Sequence, residues 1–294
     1  MRVIKKRLGI DIGGTYIKYA ILDESDRLIE TREIKTQGLG KTFIKFLKIE
    51  LAAILRKEPG IESIGIGIPG TVDPIEGTII DSPALGLHNI NFIKELKTVF
   101  SQSVHVENDV NAWTMAEKEM GAARKNQSFV MITIGTGIGA GICYKGEIIR
   151  GMDHQAGEVG YFPIGLGAYH AEVTNVEFGH FEQLASASGV SRRYHEKTNQ
   201  SLSTRVIFEK AQAGDSQAME IVNETLDYLA LGISNIVCLL QPEKIVLGGG
   251  MMNAGPWMIE ALTERVKKLI PMRFELVLST VGKWGGAIGA AFIQ

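Results

Sequence analysis

Apolar residues along this chain fall into short blocks whose period switches between two and about 3.6, with polar or glycine-rich turns between them. Val3–Asp11 and Tyr16–Leu22 read as strands, and the polar stretch ESDR divides the second from a third at Leu28–Ile34. Lys41–Lys57 repeats its apolar residues at helical spacing until Pro59-Gly60 ends it. The run IESIGIGIPG (61–70) is a buried strand that stops at a turn. Phe92–Phe100 follows as a helix, SVHVEND (103–109) as a strand and Ala112–Gly121 as another helix.

The pattern then restarts. FVMITIGTG (129–137) is a strand, and AGICYKGEII (140–149) is a hairpin pair around Lys145-Gly146. LGIDIGGTYIKYAILDESDRLIE and VMITIGTGIGAGICYKGEIIRG share one order: apolar strand, glycine-threonine turn, second strand, polar turn, third strand. Such self-similarity predicts two related halves rather than a short-period array. Residues 163–180 have no clear period and read as loop. Gln217–Leu240 and Trp257–Leu269 are helical, EKIVLGGGM (243–251) is a strand entering a glycine turn, FELVLST (274–280) is the last strand, and Trp284–Phe292 is a helix of small residues. Strands alternating with helices predict an α/β architecture with mixed sheets.

Composition narrows the partners. The 294 residues suit two domains, and 31 basic against 33 acidic residues leave a formal charge of −2. No overall basic field favours nucleic acid or an anionic membrane. The opening MRVIKKRL is basic, but Asp11 interrupts the apolar run behind it, so it reads poorly as a secretory signal or a transmembrane helix. Cys143 and Cys238 both lie in apolar surroundings and read as small buried hydrophobes, which points to a cytoplasmic protein.

The glycines carry the chemistry. DIGGT (11–15) and IGTGIG (134–139) each place glycines at a strand-to-strand turn, where backbone N–H groups can cradle phosphate oxygens and the threonine hydroxyl adds a donor. Asp11 beside the first turn can hold a magnesium ion or its waters. The same turns would also serve as tight hairpins with nothing bound; the second matching turn and GGGM (248–251) after a third strand favour a site. They are neither the Walker loop, which needs GK[ST], nor the dinucleotide fingerprint, which needs a helix after the glycines.

DIGGT, Pro69-Gly70, ENDVNA (107–112), IGTGIG, HQAGEVG (154–160) and LGGG (247–250) occur in the order seen in ROK (repressor, ORF, kinase) sugar kinases, and the chain resembles that family over nearly its whole length. The resemblance implies a two-lobed actin/hexokinase-like (ribonuclease H-like) fold with mixed sheets and an active-site cleft between lobes. It implies an N-terminal lobe over 1–115, a C-terminal lobe over 116–283, and a C-terminal helix (284–294) that packs on the first. It implies ATP-dependent phosphorylation of a hexose or N-acetylhexosamine, at O6, with Asp109 as general base. Asn108 would hydrogen-bond a ring hydroxyl through its donor and its acceptor, although an Asn-Asp pair after a strand is also an ordinary helix cap. Gly70, Glu158, Tyr161 and Glu182 would complete the sugar site, with His154 orienting the loop before Glu158 and His88, Asn89 and Asn91 nearby. Asp11, Gly13, Gly14, Thr15, Lys18, Gly135, Thr136, Gly137, Gly249 and Gly250 would bind ATP, Asp11 also holding Mg²⁺ through water. Lobe closure would exclude water, and the family suggests a homodimer.

One segment departs from the family. Many members have a histidine where Tyr161 stands, followed by three cysteines of a structural zinc site, and 161–182 contains no cysteine. A Cys₃His shell is excluded and no structural zinc is expected. His170, Glu172 and His180 are the remaining ligand-type residues of that segment, or simply solvated polar groups. The pattern resembles zinc-less members such as N-acetylmannosamine and β-glucoside kinases, so the sugar stays open. A ROK repressor would need a helix-turn-helix ahead of DIGGT; an actin- or Hsp70-like ATPase would lack ENDVNA and AGE together; a non-catalytic sugar binder would not need Asp11 and Asp109.

Overall fold

The computed structural model describes residues 5–170 and 179–293. In chain order the first elements are β1 (Lys6–Ile12), β2 (Tyr16–Asp23), β3 (Leu28–Lys35), α1 (Lys41–Lys57), β4 (Ile61–Ile68), β5 (Thr71–Asp73), β6 (Thr78–Ser82), β7 (Leu87–Asn91), α2 (Phe92–Lys97), β8 (Ser103–Asn108) and α3 (Asp109–Glu119). Then come β9 (Phe129–Ile134), β10 (Ile138–Tyr144), β11 (Glu147–Ile149), α4 (Gly167–His170), α5 (His180–Ala185), α6 (Ala187–Thr198), α7 (Thr204–Gln212) and α8 (Ser216–Leu240). β12 (Lys244–Gly248), α9 (Trp257–Leu269), β13 (Leu276–Leu278) and α10 (Gly285–Ala290) complete the chain. Two compact units result: Met1–Lys125 with Ile148–Ala156 and Thr280–Gln294, and Asn126–Glu147 with Gly157–Ser279.

The first unit is built on a five-stranded sheet of order β3-β2-β1-β4-β8. β1 pairs antiparallel with β2 and parallel with β4, and β4 runs parallel to β8. Helix α1 buries Phe43, Ile44, Leu47, Leu51 and Ile54, an apolar stripe at helical spacing, in the core with Ile10, Ile64 and Ile66 of the sheet. Each fully buried side chain of this kind contributes about 1.5–3 kcal/mol. A side chain on Gly9 of β1 or Gly65 of β4 would overlap backbone carbonyls of α10, and one on Gly289 would overlap the Ala112 carbonyl of α3. The small residues predicted as a helix at the C-terminus therefore let α10 pack with its backbone directly against β1, β4 and α3.

The second unit repeats the order, β11-β10-β9-β12-β13, with β9 antiparallel to β10 and parallel to β12. The two related halves read from the repeated pattern are thus present as two sheets of matching topology. The core of this unit gathers Val130, Ile132, Phe181, Tyr194, Ile233, Ile245 and Leu262.

Several elements differ from the sequence expectation. A three-stranded sheet β5-β6-β7 and helices α5, α6 and α7 occupy stretches that carried no predicted element. Helix α3 begins at Asp109, three residues before the predicted start. Cys143 is buried as expected, but Cys238 is exposed, because it falls on the outward face near the end of α8. No helix among the described residues is long and apolar enough to cross a membrane.

Candidate active site

In the first unit, antiparallel pairing of β1 and β2 sets Asp11 opposite Lys18, with the Lys18 Nζ 3.8 Å from Asp11 Oδ2. The DIGGT turn joins these strands: Gly13 N–H donates to the Tyr16 carbonyl at 2.8 Å, and the Thr36 hydroxyl donates to the Gly13 carbonyl at 2.7 Å. Gly14 and Thr15 are exposed at its tip. The Asp11 carboxyl is 15% exposed, and Gly286 of α10 lies directly against it. Burial pushes its pKa up, with Lys18 opposing in part. A desolvated carboxylate whose cation stands beyond hydrogen-bond distance suits a hydrated Mg²⁺, an oxygen-seeking ion that keeps water.

The ENDVNA stretch is the corner from β8 into α3. Asn108 caps the helix, its Oδ1 accepting from the N–H groups of Val110 (2.9 Å) and Asn111 (3.1 Å). Its Nδ2 donates to the Gly70 carbonyl at 3.1 Å, which leaves the second Nδ2 hydrogen for a ligand. Gly70 follows β4 at φ 114°, and a Cβ there would overlap the Asp81 carbonyl, so only glycine fits. Asp109 is the first residue of α3, partly buried, with Oδ1 accepting from Val110 N–H at 2.9 Å. Its carboxylate stands at the N-terminal, positive end of the helix dipole.

The pairing of two residues at this corner, Glu107 and Arg150, escaped the sequence reading. Glu107 is fully buried on β8; its Oε2 accepts from Arg150 Nε at 2.8 Å and lies 2.7 Å from Nη2. Its Oε1 accepts from Asn108 N–H (3.0 Å) and Asn111 Nδ2 (3.1 Å). The visible signal was an acid placed directly after the buried Val104 and Val106 of this strand. Nearby, His154 adopts φ 58° and sets Nε2 3.6 Å from Asp73 Oδ1. Asn91 is occupied structurally, capping α2 through Lys94 N–H and donating to the Glu76 carbonyl, while His88 is exposed 3.5 Å from Asp81.

In the second unit, the IGTGIG turn links β9 to β10. Gly135 N–H donates to the Gly137 carbonyl at 2.9 Å, and Thr136 is exposed at the tip. Gly249 follows β12 at φ 92°, and a Cβ there would overlap the Ile134 backbone, so the third glycine turn packs closely on the second. Gly135 and Gly250 both face open space. That space is a cavity of about 630 Å³, walled by Gly135 and Thr136, by Phe208 and Gln212 of α7, and by Gly250 and Asn253. Its size suits a drug-sized or nucleotide-sized ligand.

Glu158, Tyr161 and Glu182 come together in the same unit. Glu158 is exposed, yet surrounding protein and the charge of Glu182 push its pKa up. The Tyr161 phenol, 54% exposed, is raised by burial and by both carboxylates. Burial also raises Glu182, opposed by a hydrogen bond its Oε2 accepts from Ile138 N–H at 2.8 Å. Two neighbouring acids that both hold their protons to higher pH than usual are a common signature of a functional site. His180 accepts from Ile164 N–H through Nδ1 at 3.1 Å, and burial lowers its pKa. Glu172 lies outside the described residues, and among those described no group of three or more His, Cys, Asp or Glu could hold a metal.

The ROK family model matches residues 7–294, and the chain belongs to that family. It is 27% identical to the glucokinase of Halalkalibacterium halodurans, over 97% of this chain and 94% of the relative. It is 26% identical to the N-acetyl-D-glucosamine kinase of Pasteurella multocida, over 97% and 98%. The ROK hexokinase from Thermus thermophilus superposes with a TM-score of 0.85 at 30% identity, covering 97% of this chain and 96% of that one.

Proposed function

We propose that this chain is an ATP-dependent sugar kinase that transfers the γ-phosphate of ATP to a hydroxyl of a hexose or N-acetylhexosamine, with O6 as acceptor. The observation that carries the reading is the corner at Asn108-Asp109. A carboxylate stands on the first residue of a helix, beside an amide already tied to the Gly70 backbone. In this role Asp109 takes the proton from the acceptor hydroxyl as that oxygen attacks phosphorus and ADP leaves. Gly70, Asn108, Glu158, Tyr161 and Glu182 bind the sugar. The turns at Gly13-Gly14-Thr15 and Gly135-Thr136-Gly137 bind phosphates, with Lys18 beside the first, and Gly249 and Gly250 bind the base and ribose. Asp11 would hold Mg²⁺ through water; when bound, the ion neutralises phosphate charge. Relatives named glucokinase and N-acetyl-D-glucosamine kinase support the substrate class. N-acetylmannosamine and β-glucosides belong to the same range, and we place the enzyme in the cytoplasm as a homodimer.

The test is ATP consumption with Mg²⁺ against glucose, mannose, fructose, allose, N-acetylglucosamine, N-acetylmannosamine and cellobiose. Turnover with one or more of them, lost in Asp109→Asn, is the expected result. Silence across the panel with sugar binding intact would leave a non-catalytic sugar binder instead.

A further inference from the structure

The 134–138 turn closes through a hydrogen bond from Gly135 N–H to the Gly137 carbonyl and through the Ile134–Ile138 strand pair, Gly249 packs against Ile134, and two further hydrogen bonds reach it from one corner elsewhere in the chain. That corner is the junction of α5 and α6. From α5, the Glu182 carboxylate reaches into the base of the turn and accepts the Ile138 N–H at 2.8 Å. Its carboxyl lies where a side chain on Gly137 would sit, and it packs on Gly160 of the AGEVG turn. Four residues on, Ser186 donates its N–H to the Glu182 carbonyl at 3.0 Å and caps α6 through Gly189. Ala187, the first residue of α6, then donates its N–H to the Gly135 carbonyl at 2.8 Å. One short piece of chain therefore reaches both ends of the turn, and the Glu182 side chain supplies one of its two hydrogen bonds. Ile138 is 4% exposed, and its N–H would lose this acceptor if that carboxylate withdrew.

We infer that Glu182 is a positioning residue for nucleotide binding, fixing the 135–137 turn in the shape that receives phosphate, in addition to facing the sugar. The inference rests on the proposed reading of that turn as a phosphate site. It departs from a sugar-contact role in a measurable way. A residue that only contacts sugar has no influence on nucleotide affinity when sugar is absent, whereas a residue that shapes the turn does.

Two conservative variants separate reach from charge. Glu182→Asp keeps the charge and withdraws the carboxylate by one bond, about 1.5 Å. Glu182→Gln keeps the reach, with its amide oxygen able to accept the same N–H, and loses the charge. The measurement is the Kd of ADP without sugar, by calorimetry, on the full chain, with thermal melting to verify folding. The expected result is that Glu182→Asp binds ADP about tenfold more weakly, the effect of one lost hydrogen bond to a charged acceptor, and that Glu182→Gln stays near the wild type. The inference is overturned if Glu182→Asp matches the wild type, or if Glu182→Gln is as weak as Glu182→Asp. Wild-type protein that fails to bind ADP at all overturns the kinase reading itself, and the inference with it.

Discussion

Asp11 sits where charge is costly. Its carboxyl is mostly removed from water, Gly286 presses against it, and Lys18 stands 3.8 Å away. Its folded pKa lies above the ordinary 3.8, so the folded state holds the proton to higher pH than the unfolded chain. Stability from this group is thus fully present below the ordinary aspartate value and declines as pH rises through the folded one. Asp11→Asn is expected to be more stable than the wild type at pH 8, with the advantage shrinking to nothing as pH approaches 4. Urea denaturation across that range checks it, and an advantage that grows on acidification would contradict the desolvation argument. The same variant should lose activity, a common exchange at sites kept strained for function. Asp11 and Asp109 were legible in sequence because each sits inside a short glycine or asparagine motif whose local geometry is nearly self-contained. The Glu107–Arg150 pair was not, because its partners are 43 residues apart and meet only after β8 and the segment following β11 have found their places. An acid that follows buried valines in a strand announces that a partner exists without saying which.

Long elements with a single strong period were equally readable. Helix α1 runs over Lys41–Lys57 as the apolar spacing predicts, and the principal strands fall within three residues of their predicted bounds. The small sheet β5-β6-β7 was hidden because its strands have only 3 to 5 residues and mix apolar with exposed polar positions. The start of α3 was misplaced because Asn108, Asp109 and Asn111 are all plausible caps by residue type, and the choice fell to Asn108 through its tie to the Gly70 carbonyl. The small-residue helix α10 was visible, but its purpose was not. Its backbone meets β4 at Gly65 so closely that any side chain there would overlap the Ala290 carbonyl. Gly65→Ala should therefore force α10 outward at a cost of about 1–3 kcal/mol or more, the range for overpacked cores. Because α10 carries Gly286 against Asp11, activity should fall as well. A urea midpoint equal to the wild type would mean that the strand–helix contact is looser than described.

At the scale of the whole chain, the repeated strand order gives corresponding turns corresponding positions. The glycine turn after β1 matches the one after β9, and Pro69-Gly70 after β4 matches Gly249-Gly250 after β12. One topology has been put to different uses. In the first unit the turn after β4 offers its carbonyl to Asn108 and supports the corner that bears Asp109. In the second, the turn after β12 is pressed on β9 and opens onto the 630 Å³ cavity. The proposed general base and the proposed base-and-ribose cavity thus belong to different units, each with its own hydrophobic core. If that division is functional, nucleotide binding and phosphoryl transfer can be separated by one substitution. Asp109→Asn should bind ADP with a Kd within a factor of about two of the wild type while turnover falls by about 10²–10⁴, the range for loss of a general base. Calorimetry with ADP and steady-state kinetics on the same preparation measure both quantities. Loss of ADP affinity in step with turnover would show that Asp109 acts on the nucleotide rather than on the acceptor hydroxyl, and the assignment of the base would have to move to another carboxylate.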